Sequence, residues 1–129
     1  MAIRIVRLGS PRAPDEGLRV GTVRRPPRGV PKARHAADDW YDVWYPVLSP
    51  GPDTLRMGRN GESDEEFAGF VRHYRREMKE PAAARTIALL DALSHGSNFS
   101  VGCYCRDESR CHRSILRELL VKEGADVLP

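Results

Sequence analysis

Residues 98–123 read NFSVGCYCRDESRCHRSILRELLVKE, and this one run limits the folds open to the chain. NFSVGCYC has the composition of a strand, and RDESR is a polar loop. From Cys111 onward Ile115, Leu116, Leu119 and Leu120 recur at helical spacing until Gly124 stops the run. Another helical segment precedes it, with Ile87, Leu90 and Leu93 over residues 82–95 and Gly96 as its stop. A strand set between helices is a βα unit, and such units build parallel sheets whose faces are covered. The expected fold class is therefore α/β: a single small domain over residues 1–129, with a mainly parallel sheet flanked by helices.

Elsewhere the signals fit the same class. IRIVRL (3–8) alternates apolar and basic residues as a strand does, and LRVGTVR (18–24) reads as a second strand, with Gly21 suggesting a bulge. RPPRGVPK (25–32) is loop, because three prolines remove backbone donors. Ala36, Trp40, Val43 and Trp44 fall at helical spacing, which predicts a helix over 36–44 ended by Pro46. Residues 48–62 read as loop with one helical turn near 54–57. The clearest helix starts at Ser63, whose capping box with Glu66 leads into the stripe Phe67, Phe70, Val71, Tyr74 and Met78 before Pro81. ADVLP at 125–129 is expected to add a short last strand.

Composition excludes some classes. At 129 residues, 40% hydrophobic and 30% charged, the balance is globular, and no apolar stretch reaches the ~20 residues of a membrane helix. MAIRIVRLGS has no secretory pattern, and three cysteines crowded into nine residues make no disulfide framework, so the expected location is the cytoplasm. The net charge of +3 is uneven: residues 1–34 carry +7 and the remainder −4.

Chemistry concentrates in the βα unit. Cys103 and Cys105 share one face of a strand, and Cys111, His112 and Arg113 open a helix. The loop between them lies at the carboxyl end of a parallel strand, where open α/β sheets bind ligands and a helix dipole favours a thiolate or an anion. One reading makes Cys111 the activated thiol, with Cys105 as its partner and His112 and Arg113 supplying positive charge. A second holds zinc on Cys103, Cys105, Cys111 and His112, although C-x-C-x5-C-H departs from paired C-x2-C knuckles and no cofactor is the favoured expectation. In a third, Cys103 and Cys105 are small strand residues packed in the core. Cys111 and Arg117 have the C-x5-R spacing of a phosphatase cradle, but HRSIL between them is helical and lacks glycine, so that reading is rejected.

The proline-stiffened loop adds Arg24, Arg25 and Arg28, whose planar forks suit phosphate or carboxylate. Trp40 and Tyr41 are candidates to stack on a ligand.

The strand followed by R-x-P-R-G (Arg24 to Gly29), then Asp38 to Trp40 with Ser49-Pro50, then Phe70 to Tyr74, resembles the YeaO-like domain-of-unknown-function family, DUF488. The strand cysteine followed by Cys-His-Arg at the last helix is similar to its cysteine-bearing members. The resemblance covers nearly the whole chain, departing at RRPPRG where R-L-W-P-R-G is more usual. It implies one small α/β domain, and its recurring arginines and Cys-His-Arg imply a site for an anionic ligand.

Two functions from different classes follow. The first is a small-anion site, thiol-based if enzymatic, formed by Cys105, Cys111, His112 and Arg113 facing Arg24, Arg25 and Arg28. The second is a nucleic-acid-binding module using the basic first quarter, with Trp40 or Tyr41 on the bases.

Overall fold

In the computed structural model, which describes residues 1–60 and 63–129, four strands form one sheet in the order β1-β4-β2-β3. These are β1 (Ile3–Arg7), β2 (Leu18–Gly21), β3 (Val43–Trp44) and β4 (Phe99–Cys103), and every pairing is parallel. The four α-helices are α1 (Pro52–Asn60), α2 (Asp64–Glu77), α3 (Pro81–Ser94) and α4 (His112–Glu123). Among the described residues no helix is long and apolar enough to cross a membrane.

β4 is central because its sequence tolerates burial on both faces. All five of its residues are buried, and they alternate in what they meet. Phe99 and Val101 join Ile3, Phe70, Tyr74, Ile87, Leu116 and Leu120 in the main core, where the helices pack. Ser100 points the other way and donates to Glu16, whose carboxylate also accepts two hydrogen bonds from Arg19. That second face is covered by irregular chain, since Arg19 also donates to the carbonyls of Ser10 and Asp39.

Ser63 caps α2 by accepting from the Glu66 amide, and Gly124 closes α4 at φ 117°, a left-handed turn that favours glycine. The last five residues contribute only an isolated parallel bridge, Ile3 to Val127.

Two expected segments differ. Residues 36–44 are not a helix: one 3-10 turn (Lys32–Arg34) leads through turns to edge strand β3. Asp39 takes a positive φ of 62°, which breaks helical continuity. Beyond it the Asp42 amide donates to the Arg19 carbonyl and the Asp42 carboxylate accepts the Arg19 amide, binding the chain to the sheet edge. Residues 52–60, expected as loop with one turn, form a nine-residue helix. Its packing signal sits at Gly58, where a Cβ would lie 2.9 Å from the Phe70 ring, so the position pattern analysis discounts is the contact itself. Gly61 and Glu62 of that expected loop lie outside the described residues. Gly21 marks no bulge: it pairs in regular register with Gly102 and Trp44, and the space a Cβ would take belongs to Tyr41, 2.4 Å away.

Candidate functional site: an arginine-walled cleft with a cysteine–histidine floor

The carboxyl ends of β1, β4 and β2 open into one cleft of about 830 Å³. β1 contributes Arg7 and Leu8, the chain after β2 contributes Val23 to Arg28, and β4 runs into it through Cys103, Tyr104 and Cys105. Arg110, Cys111 and His112 close it from the start of α4, with Trp40, Pro50, Leu55 and Phe70 among its apolar lining. β4 lies between β1 and β2 although they are consecutive in sequence, so neighbouring connections diverge here and leave the crevice where α/β sheets bind ligands.

Five arginines line the cleft (Arg7, Arg24, Arg25, Arg28 and Arg110), and no aspartate or glutamate is among its described lining residues. Three are tied to protein. Arg7 donates to the Tyr104 carbonyl, Arg24 donates to the carbonyls of Ser49 and Pro50, and Arg110 pairs with Asp64 while lying 5.0 Å over the Phe67 ring. Arg25 and Arg28 are exposed on the proline-stiffened loop, and neither guanidinium meets a carboxylate among the described residues. The loop itself is anchored, because the Tyr104 hydroxyl donates to the Arg25 carbonyl at 2.8 Å.

On the floor, Cys111 precedes α4 in extended conformation, and His112 is the first helical residue. Both are buried, and the His112 ring meets Tyr74 edge-on at 5.4 Å. Its Nε2 lies 2.8 Å from the Thr22 carbonyl, which only accepts, so Nε2 carries the proton and donates. Nδ1 is then the lone-pair nitrogen, and it faces Cys111 Sγ at 3.7 Å. Burial pushes the His112 pKa down to about 4, against the pull of negative charge at Cys105, so the imidazole is neutral at pH 7.

The three thiols are unequal. Cys105 is exposed, and hydrogen bonds from Cys103 and Cys111, helped by Arg113, hold it far below an ordinary thiol. Cys103 is pushed up by Cys105, then by Cys111 and by burial. For Cys111 the Cys103 contact lowers the pKa, but Cys105 and burial outweigh it and the net shift is upward. The exposed, most acidic sulfur is therefore that of Cys105, whereas Cys111 is a buried neighbour. Ligand-capable atoms of Cys103, Cys111 and His112 lie within 4.8 Å of one another, and Cys105 stands outside that trio.

Of the residues expected from sequence, Cys105, Cys111, His112, Arg24, Arg25, Arg28 and Trp40 meet in this cleft. Arg113 and Tyr41 do not line it. Arg113 is buried behind the floor, donates to the Cys105 carbonyl and has no partner for its Nε among the described residues. Tyr41 is buried between Gly21 and His35, with no partner for its hydroxyl among the described residues. Sequence reasoning passed over Arg7, Arg110, Tyr104 and Phe70. Arg7 had a usable signal, since the last residue of any parallel strand sits at the binding edge; Phe70 had none, being one of a core stripe.

A family model described as the active DUF488-N3 subclade matches residues 3–124. No curated protein and no solved structure matches the chain.

Proposed function

The chain belongs to the DUF488 family, and from the geometry of its cleft we propose that it binds a small phosphate- or carboxylate-bearing molecule, held by Arg25 and Arg28 beside the Cys105 sulfur. One observation carries this reading: five arginines converge on a single cleft without a carboxylate among its described lining. An excess of guanidinium in a concave, partly apolar wall is stabilised by an anion that can accept paired hydrogen bonds. The apolar lining from Trp40, Leu55 and Phe70 provides room for the body of that molecule. The word active in the matched subclade's description accords with a site that does chemistry, for which the exposed Cys105 sulfur in the cleft is the candidate nucleophile when no metal holds it.

The basic first quarter supports this reading better than nucleic-acid binding. Arg4, Arg12, Arg19 and Arg34 are each paired with a carboxylate, so much of the local excess is neutralised within the fold. Arg7, Arg24, Arg25, Arg28 and Lys32 remain, and the four arginines among them line the cleft.

Calorimetric titration with inorganic pyrophosphate tests the proposal. Wild-type protein should bind, and Arg25→Ala/Arg28→Ala should bind at least about tenfold more weakly, since each charge-assisted contact contributes about 1.5–3 kcal/mol. Equal affinity in the two proteins would overturn it. Tighter binding to a single-stranded oligonucleotide than to pyrophosphate, lost with rising salt, would favour the nucleic-acid reading.

A further inference from the structure

The anion reading uses the arginine wall and the exposed sulfur, and leaves three buried donors on the floor without a role. We propose that Cys103 Sγ, Cys111 Sγ and His112 Nδ1 hold a zinc ion, with Cys105 Sγ as the fourth ligand.

Four observations point to this site. The first is distance: bonds of about 2.3 Å to sulfur and about 2.0 Å to nitrogen in a tetrahedron place S and N about 3.5 Å apart. Cys111 Sγ and His112 Nδ1 stand 3.7 Å apart, and all three buried donors fall within 4.8 Å of one another. The second is the tautomer. Zinc-bound histidines usually donate their other ring N–H to a carbonyl or carboxylate, which fixes the ring and directs the lone pair. His112 donates Nε2–H to the Thr22 carbonyl at 2.8 Å, and the Thr22 hydroxyl in turn donates to the Gly102 carbonyl at 3.0 Å. The ring therefore presents Nδ1 to the sulfurs without rearrangement.

The third is charge. Arg113 is 3% exposed, forms no ion pair among the described residues and keeps its Nε free, yet it stands against the Cys105 carbonyl and the Cys111 thiol. A buried guanidinium is stabilised by negative charge beside it, and Glu108 and the cysteine sulfurs lie near enough to supply it. Three thiolates, one neutral imidazole and Zn²⁺ carry a net charge of −1, which balances it. The fourth is position: the donors come from the end of β4 and the start of α4, two elements fixed by the core, and Cys105, on the exposed chain between them, already lies in hydrogen-bonding reach of Cys103 and Cys111. Three sulfurs and one nitrogen select zinc over the hard cations magnesium and calcium. Binding releases the thiol protons to solvent, with no change in oxidation state.

The test uses the full chain, prepared without chelator and also stripped and reloaded with zinc or cobalt. About one zinc per chain is expected, released by a mercurial thiol reagent and detected with a colorimetric chelator. The cobalt form should show the sulfur-to-cobalt charge-transfer absorption and visible bands of a tetrahedral thiolate site. Cys105→Ser, at an exposed position, should keep the fold but bind cobalt more weakly with a reduced charge-transfer band. Zinc should also protect the exposed Cys105 of the wild type from alkylation, a readout that does not require the buried cysteine variants to fold. Substoichiometric metal after zinc loading, or alkylation unaffected by zinc, would overturn the proposal. Pyrophosphate binding through Arg25 and Arg28 is measured separately, so loss of the metal site would leave the anion reading standing.

Discussion

Glu16 and Arg19 show at the residue scale what the sequence concealed. LRV within β2 reads as a strand with no sign of what its arginine meets, yet Arg19 is fully buried and bound to Glu16, Ser10 and Asp39. Nothing local signals that the loop after β1 and the turns before β3 will cover that face. Breaking such a buried pair leaves an uncompensated charge, so Arg19→Met or Glu16→Gln alone should destabilise the fold by about 3–5 kcal/mol in urea unfolding. The pair also sets an acid limit. Burial alone would raise the Glu16 pKa, but hydrogen bonds from Arg19, Ser100 and the Ala13 amide lower it from 4.5 to about 2. The folded pKa lies below the unfolded one, so this stabilisation is present above about pH 4.5 and is lost as pH falls toward 2. Wild-type stability should therefore drop more steeply over that window than stability of an Arg19→Met/Glu16→Leu double variant; equal slopes would refute the assignment. Tyr41 is the converse case, because its buried hydroxyl has no partner among the described residues. Tyr41→Phe should leave stability unchanged or raise it by up to about 1 kcal/mol, measured by thermal unfolding.

At the scale of elements, the parts with strong local signals were legible: the Ser63 cap, the α2 stripe, the Gly124 stop and the β4–α4 unit that carries the site. Segment 36–44 misled because four apolar residues at helical spacing were read without Asp39, whose left-handed turn converts the stretch into a sheet edge. Short strand β3 draws its stability from pairing with β2 and from the Asp42–Arg19 hydrogen bonds, whose β2 partners lie outside that window of nine residues. The glycines at the middle of the sheet carry a similar non-local message. A Cβ on Gly102 would lie 2.6 Å from the Val6 carbonyl oxygen, so β1 and β4 could not keep their register. Gly102→Ala should cost about 2–3 kcal/mol in urea unfolding, and because Gly102 adjoins Cys103 it should also weaken metal retention. An alanine variant as stable as wild type would show that the sheet has slack there.

Across the whole molecule, a net charge of +3 says little until the fold sorts it. Arg4, Arg12, Arg19 and Arg34 are paired internally, while Arg7, Arg24, Arg25 and Arg28 gather around one cleft. Sequence reading set the cysteine cluster facing Arg24, Arg25 and Arg28 but not the further cleft arginines Arg7 and Arg110, because the full lining depends on β4 inserting between β1 and β2. Pyrophosphate at about 100 times its Kd should add about 2.7 kcal/mol to stability, with a rise in Tm that shrinks as sodium chloride increases. The most direct measurement of the central claim is residue-resolved: amide NMR shifts of the labelled chain titrated with inorganic pyrophosphate. Saturable shifts at residues 24–29 and 104–112, absent in Arg25→Ala/Arg28→Ala, are the predicted result. Shifts confined to other surfaces, or none at millimolar pyrophosphate in low salt, would contradict an anion-binding cleft.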